Sequence, residues 1–163
     1  MTKERMDNIL NTILINTYTG TQLKHRILVL KTYLEQQFFA GQTQKSLNFS
    51  TDPWIKTLPP TLLAQFNKDN LSTIFESLQT EIQKIQPLTL YLTFDPDEQT
   101  TASIGEFARK TFGSSIILDI KYNPNLIAGA SIVWKGIYKD YSLKSKIEEK
   151  KTEVLQSFKQ FLR

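Results

Sequence analysis

No cysteine occurs among the 163 residues, which excludes disulfides, thiolate catalysis and cysteine-ligated zinc. There is one histidine, His25, set in a helical pattern beside Arg26, with no second imidazole to complete a metal site. It reads as a structural side chain, exposed or half-buried. No apolar run approaches the roughly 20 residues that a bilayer-spanning helix needs. The opening MTKERMDNIL lacks the apolar centre of a secretory leader. Glycine motifs that cradle phosphates, G-x-x-x-x-G-K-[ST] and G-x-G-x-x-G, are missing. No serine sits in a G-x-S-x-G context. These absences lead to the expectation of a soluble intracellular protein that is not an enzyme, with no catalytic, cofactor-binding or metal-ligating residues.

What is present is an ordinary globular mixture, with 40% hydrophobic and 22% charged residues. The length suits one medium domain or two small ones. A net charge of +4 and a pI of 9.2 raise the question of nucleic acid. Such binding needs basic residues interleaved with aromatics on one face. Lys144, Lys146, Lys150 and Lys151 instead alternate with Glu148, Glu149 and Glu153, the pattern of a salt-bridged, solvated helix face. No nucleic-acid partner is expected.

Up to residue 86 the periodicity is helical. Met6, Ile9, Leu10, Ile13 and Leu14 form one stripe, which stops at Tyr18-Thr19-Gly20. Leu23, Ile27, Leu30, Leu34 and Phe38 form the next, ended by Gly41, with a polar connection over 42–50. Asp52-Pro53-Trp54 reads as a cap followed by proline at the first helical position. Pro59-Pro60 starts another turn carrying Leu62, Leu63 and Phe66. Asn70 is placed to cap a longer helix with Leu71, Ile74, Phe75, Leu78, Ile82 and Ile85 inward. Trp54 and Trp134 are candidate contact residues, since aromatics dominate interface hot spots, though half-buried packing is the simpler reading.

After Pro87 the period becomes two. Leu88, Leu90, Leu92 and Phe94 share one face of a strand. Asp95, Pro96, Asp97 and Glu98 read as a helix start, Asp95 capping and Pro96 in the first turn, not as a metal or acid–base cluster. Ile104, Phe107, Ala108, Thr111 and Phe112 make the expected inner face, and Gly113 the stop. Ile116, Leu118, Ile120 and Tyr122 form the next buried strand face. A strand–helix–strand crossover predicts two parallel strands. Asn123-Pro124-Asn125 is a turn. A strand follows from Ala130 to Trp134, and Lys135-Gly136 reverses it into a short return strand. Asp140 and Ser142 stand where a cap is wanted, just before Leu143 and Ile147 begin a final helix. The fold class is therefore α+β: an all-helical bundle over 1–86, then a small mixed α/β domain over 87–163 with a hairpin and a C-terminal helix.

The order of loop, hairpin, cap and helix resembles the C-terminal signature of the delta subunit of F-type ATP synthases, the oligomycin-sensitivity-conferring protein family. Pro124, Leu126, Ile127 and Gly129 match its Asp-Pro-x-Leu-Ile-Gly-Gly run; Asp140, Ser142, Leu143 and Ile147 match the Asp-Gly-Ser cap and the leucine-led helix. Asn123, Ala128 and Tyr141 depart from it, and Gly136 comes one place late. The resemblance covers roughly residues 87–150. It implies a non-catalytic stator connector of a rotary enzyme of ATP synthesis and ion transport. The partners implied are the N-termini of the alpha subunits and the b subunits of the peripheral stalk. The place implied is the cytoplasmic face of a bacterial inner membrane or the stromal side in a plastid, peripheral and not inserted. A stalk subunit like the E subunit of V- or A-type ATPases is an alternative, but its single long N-terminal helix conflicts with Gly20, Gly41, Pro53 and Pro59-Pro60. A free-standing protein-binding adaptor is the other.

The final helix carries Ile147, Val154, Leu155, Phe158, Phe161 and Leu162, with a polar gap from Glu148 to Glu153. Residues 135–163 hold eight lysines and arginines against four acids. Such a helix either docks on its own domain, the simpler expectation, or offers its end to a partner. The resemblance favours a partner, and Val154, Phe158, Phe161 and Leu162 are the candidate partner-binding residues.

Overall fold

The computed structural model describes residues 3–39 and 52–161. Gly41 as a helix stop, the connection over 42–50 and Leu162 fall outside them, as do the side chains of Val154 and Phe161.

Among the described residues, five helices precede the first strand: α1 (Lys3–Leu14), α2 (Gly20–Phe39), α3 (Pro53–Thr57), α4 (Pro60–Leu63) and α5 (Leu71–Lys84). Their apolar stripes meet in one core, where Ile9, Ile13, Leu30, Leu34, Ile74 and Leu78 are fully buried. Phe66 and Phe75 stack across it with ring centroids 5.8 Å apart. At α3, Asp52 caps as expected, its carboxylate accepting from the Trp54 amide at 2.9 Å. Asn70 occupies the cap position of α5 without capping it. Its Oδ1 instead accepts from the Asn67 amide, and its Nδ2 donates to the Gln65 carbonyl, folding the preceding turn. A capping box opens α2: the Thr19 hydroxyl accepts from the Gln22 amide while Gln22 Oε1 accepts from the Tyr18 and Thr19 amides.

The remainder is a four-stranded sheet in the order β2-β1-β3-β4, formed by β1 (Leu88–Leu92), β2 (Leu118–Tyr122), β3 (Ala130–Trp134) and β4 (Ile137–Asp140). β1 and β2 are parallel, and the crossover between them is α6 (Glu98–Phe112). β3 runs antiparallel to β1 with Leu90 opposite Ile132. Lys135 and Gly136, at φ 49° and 78°, form the two-residue reversal between β3 and β4. Leu88, Leu118, Ile132 and Trp134 face Ile104, Ala108 and Phe112 of α6 in a second core, with Phe112 edge-on to Trp134.

Several details differ from the periodic reading. The cap of α6 is Asp97, not Asp95; its carboxylate accepts from the Thr100 amide at 2.7 Å, so Pro96 lies before the helix. Phe94 is half exposed because β1 ends at Leu92, and Tyr122 is exposed at the end of the edge strand. Phe107 points to solvent. Thr101 and Gly105 are buried instead, because a second stripe of α6 meets the turn between α1 and α2. Ile117 also leaves the α/β core and joins the helical one.

The last helix, α7 (Leu143–Phe161), does not dock along its own domain. Among its described side chains only Ser145 is even half-buried, while Ile147, Leu155 and Phe158 are 51%, 51% and 64% exposed. The inner face of the sheet is covered by α6, so α7 has no place on it.

Candidate functional site

The turn over Pro124–Leu126 is tied to the sheet at its start, where the Asn123 amide donates to the Leu92 carbonyl at 2.7 Å. The Asn123 side chain accepts from the Asn125 amide, so asparagine supplies the same turn-forming acceptor as an aspartate would. Leu126 is buried beneath. Ile127 follows at φ 66° and ψ −56°, with the Ala128 amide bonded to the Leu126 carbonyl at 2.8 Å. This is a γ-turn of positive φ, a strained conformation for a β-branched residue.

Gly129, at φ 87°, passes directly under the start of α7. A Cβ there would lie 2.7 Å from the Tyr141 carbonyl oxygen and 3.2 Å from the Ser142 Cα. Two backbone bonds fasten the crossing: Leu143 N–H to the Ala128 carbonyl at 2.8 Å, and Tyr141 N–H to the Ala130 carbonyl at 2.9 Å. Ser142 is completely buried. Its amide donates to Asp140 Oδ1 at 2.8 Å, and its hydroxyl accepts from the Ser145 amide at 3.2 Å, capping α7. Hydrogen bonding by Ser142, side chain before amide, holds the Asp140 carboxyl below the usual aspartate value.

The structure thus brings Pro124, Leu126, Ile127 and Gly129 together with Asp140, Ser142 and Leu143 in one knot at the root of α7. Ile147 lies one turn further along and is exposed, and Phe158 is more than two turns beyond that. On the described part of the helix, Leu143, Ile147, Leu155 and Phe158 fall on one side at 100° per residue. Lys144 and Lys151 lie within that stripe, Lys150 and Glu148 border its two edges, and Glu149 and Glu153 fall on the opposite side. The helix therefore presents an apolar strip interrupted by two lysines. It can bind an amphipathic surface; it carries no group poised for bond-making.

The two tryptophans are half-buried. Trp54 lies under the Arg26 guanidinium at 5.2 Å, lining an open cleft of about 540 Å³ with Ile15, His25 and Asp52. His25 is largely exposed, 3.5 Å from an Asp52 oxygen. Among the described residues no group of three potential ligands could hold a metal ion.

A second junction escaped the sequence reading. The Arg109 guanidinium lies 4.8 Å from the Tyr18 ring and donates to the carbonyls of Leu14, at 3.0 Å, and Thr17. Burial lowers its pKa from the usual arginine value. Gly105 in mid-helix was the available signal, since an interior helix glycine marks a close approach.

A family model described as ATP synthase delta (OSCP) subunit matches residues 67–154. No curated protein matches the chain. The family match begins before α5 and so reaches into the helical half; it ends within α7, before Phe158.

Proposed function

Because the chain belongs to the ATP synthase delta (OSCP) subunit family, matching it over more than half of its length, we propose that it is the stator connector of a rotary F-type ATP synthase. Its work is mechanical: it holds the catalytic head to the peripheral stalk against torque and makes or breaks no bonds. The helical half, 1–86, takes the N-terminal segments of the alpha subunits, with an amphipathic helix laid into a groove of the bundle. The α/β half, 87–163, meets the b subunits through the end of α7, with Val154, Phe158, Phe161 and Leu162 in the contact. The protein sits peripherally at the cytoplasmic face of a bacterial inner membrane or its plastid equivalent; no described helix is long and apolar enough to cross a membrane.

The observation that carries this reading is α7 itself. Its root is fixed by five backbone and side-chain hydrogen bonds around Gly129 and Ser142, three from the backbone amides of Tyr141, Leu143 and Lys146 and two at the cap. Its apolar strip has no partner within the described chain. A rigidly rooted helix with an uncovered strip suits a permanent joint. Lys144 and Lys151 within the strip favour a stalk helix with acidic residues in its own apolar seam. The five separate helices described in the N-terminal half are unlike the single long helix expected of a V- or A-type E subunit.

Calorimetric titration of the whole protein with the C-terminal segment of the cognate b subunit tests the stalk contact, and a peptide from the alpha-subunit N-terminus tests the head contact. Saturable heats, with the b titration weakening as salt rises, are expected. No heat with either at high micromolar concentration would leave only a free-standing adaptor.

A further inference from the structure

We infer that residues 14–19, the turn between α1 and α2, act as a wedge that locks the helical and α/β halves into one rigid body, with Arg109 setting their relative orientation. Apart from this contact, the halves are joined covalently only by the short segment 85–87 between α5 and β1. Such a segment by itself would leave them free to swing.

Four features converge on the wedge. The Tyr18 carbonyl accepts from the Leu118 amide at 2.7 Å, and Thr19 pairs with Leu118 in a parallel bridge, so the turn extends the outer edge of β2. Tyr18 is buried against α6 at Gly105, where a Cβ would lie 2.2 Å from its ring. Arg109, one helical turn after Gly105, spans both halves, since its guanidinium donates to Leu14 and Thr17 on one side and to the Ile116 carbonyl at 3.5 Å on the other. From within the bundle, Arg26 donates to the Ile15 carbonyl and the Thr17 hydroxyl, and that hydroxyl donates to the Ile13 carbonyl. The carbonyls that end α1 thus find cationic donors in place of water. Thr17 is fully buried, and Ile117 inserts into the helical core. The guanidinium reaches the two sides from separate nitrogens, Nε and Nη2, a span that the single ammonium nitrogen of lysine lacks.

The inference concerns the isolated chain and stands whether or not the stalk reading does. The absence of cysteine allows spin labels at two introduced sites, Gln79→Cys on α5 and Lys139→Cys on β4, both exposed. Electron–electron double resonance on the full chain should give a single narrow distance distribution. Arg109→Ala should broaden it while circular dichroism keeps its helical signal, and Arg109→Lys should restore it only in part. If Arg109→Ala does not fold, Gly105→Ala decides. Alanine favours the helix by itself, so broadening there reports displacement of Tyr18. A broad distribution in the parent, or a narrow one that persists in Arg109→Ala, or in Gly105→Ala where that variant decides, would overturn the inference.

Discussion

Gly129 and Tyr141 touch so closely that the side chain glycine lacks would overlap the tyrosine carbonyl oxygen, at 2.7 Å from the missing Cβ. Positive φ adds a second reason for glycine at this crossing. Gly129→Ala should therefore destabilise the protein by about 1–3 kcal/mol, the usual cost of a strained backbone residue. Urea denaturation checks it, and hydrogen exchange at the Leu143 amide should accelerate as the crossing opens. An unchanged midpoint would contradict the close approach.

Ile127 offers the opposite change. It is exposed and held at φ 66°, so little packing is lost on removing its side chain. Ile127→Gly should raise stability by about 0.5–1 kcal/mol, relief of strain exceeding the added freedom of the unfolded chain. A lower midpoint would show that the isoleucine makes a contact worth more than the strain.

Ser142 caps α7 and is buried. Ser142→Ala should cost about 1 kcal/mol, with fraying confined to the first turn of α7. Hydrogen exchange at Ser145 reads this directly; protection equal to the parent would mean the hydroxyl contributes nothing.

Two aspartates that accept amides at helix starts give the stability an acid limb. Asp97 and Asp140 both lie below their ordinary value of 3.8, through hydrogen bonding by Thr100 and Ser142 respectively. Each is depressed in the folded state, so each adds stability above pH 3.8 that is lost as pH falls through the folded value. Stability measured between pH 6 and about 2.5 should fall most steeply below 3.8. Asp97→Asn and Asp140→Asn should each flatten that limb, and an identical slope in both variants would refute the linkage.

Phe158 separates binding from folding. Phe158→Asp should change stability by no more than about 0.5 kcal/mol, as expected of an exposed site. It should nonetheless abolish the heat of titration with the b-subunit segment. Loss of fold would mean that the phenylalanine packs within its own chain.

The elements were legible wherever one local pattern and one cap sufficed. The alternation of Leu88, Leu90 and Leu92, the Lys135-Gly136 reversal and the Ser142 cap all depend on neighbours within a few residues, and each appears where the pattern places it. Asp97 was missed for Asp95 because either aspartate can precede a helix, and only the geometry after β1 decides between them. Phe107 looked as apolar as Ile104, but two separate surfaces claim α6, and neither lies over Phe107.

By itself the chain's order of residues determined the α+β class, the parallel crossover, the hairpin and the motif around Gly129, since propensity, turn chemistry and periodicity are local properties. Only the tertiary structure decided that no described residue covers α7 and that Tyr18 meets Gly105 across 87 residues of sequence. Contacts so distant leave no period to read: burial depends on which surfaces arrive first at a given face, and that is settled by packing in three dimensions.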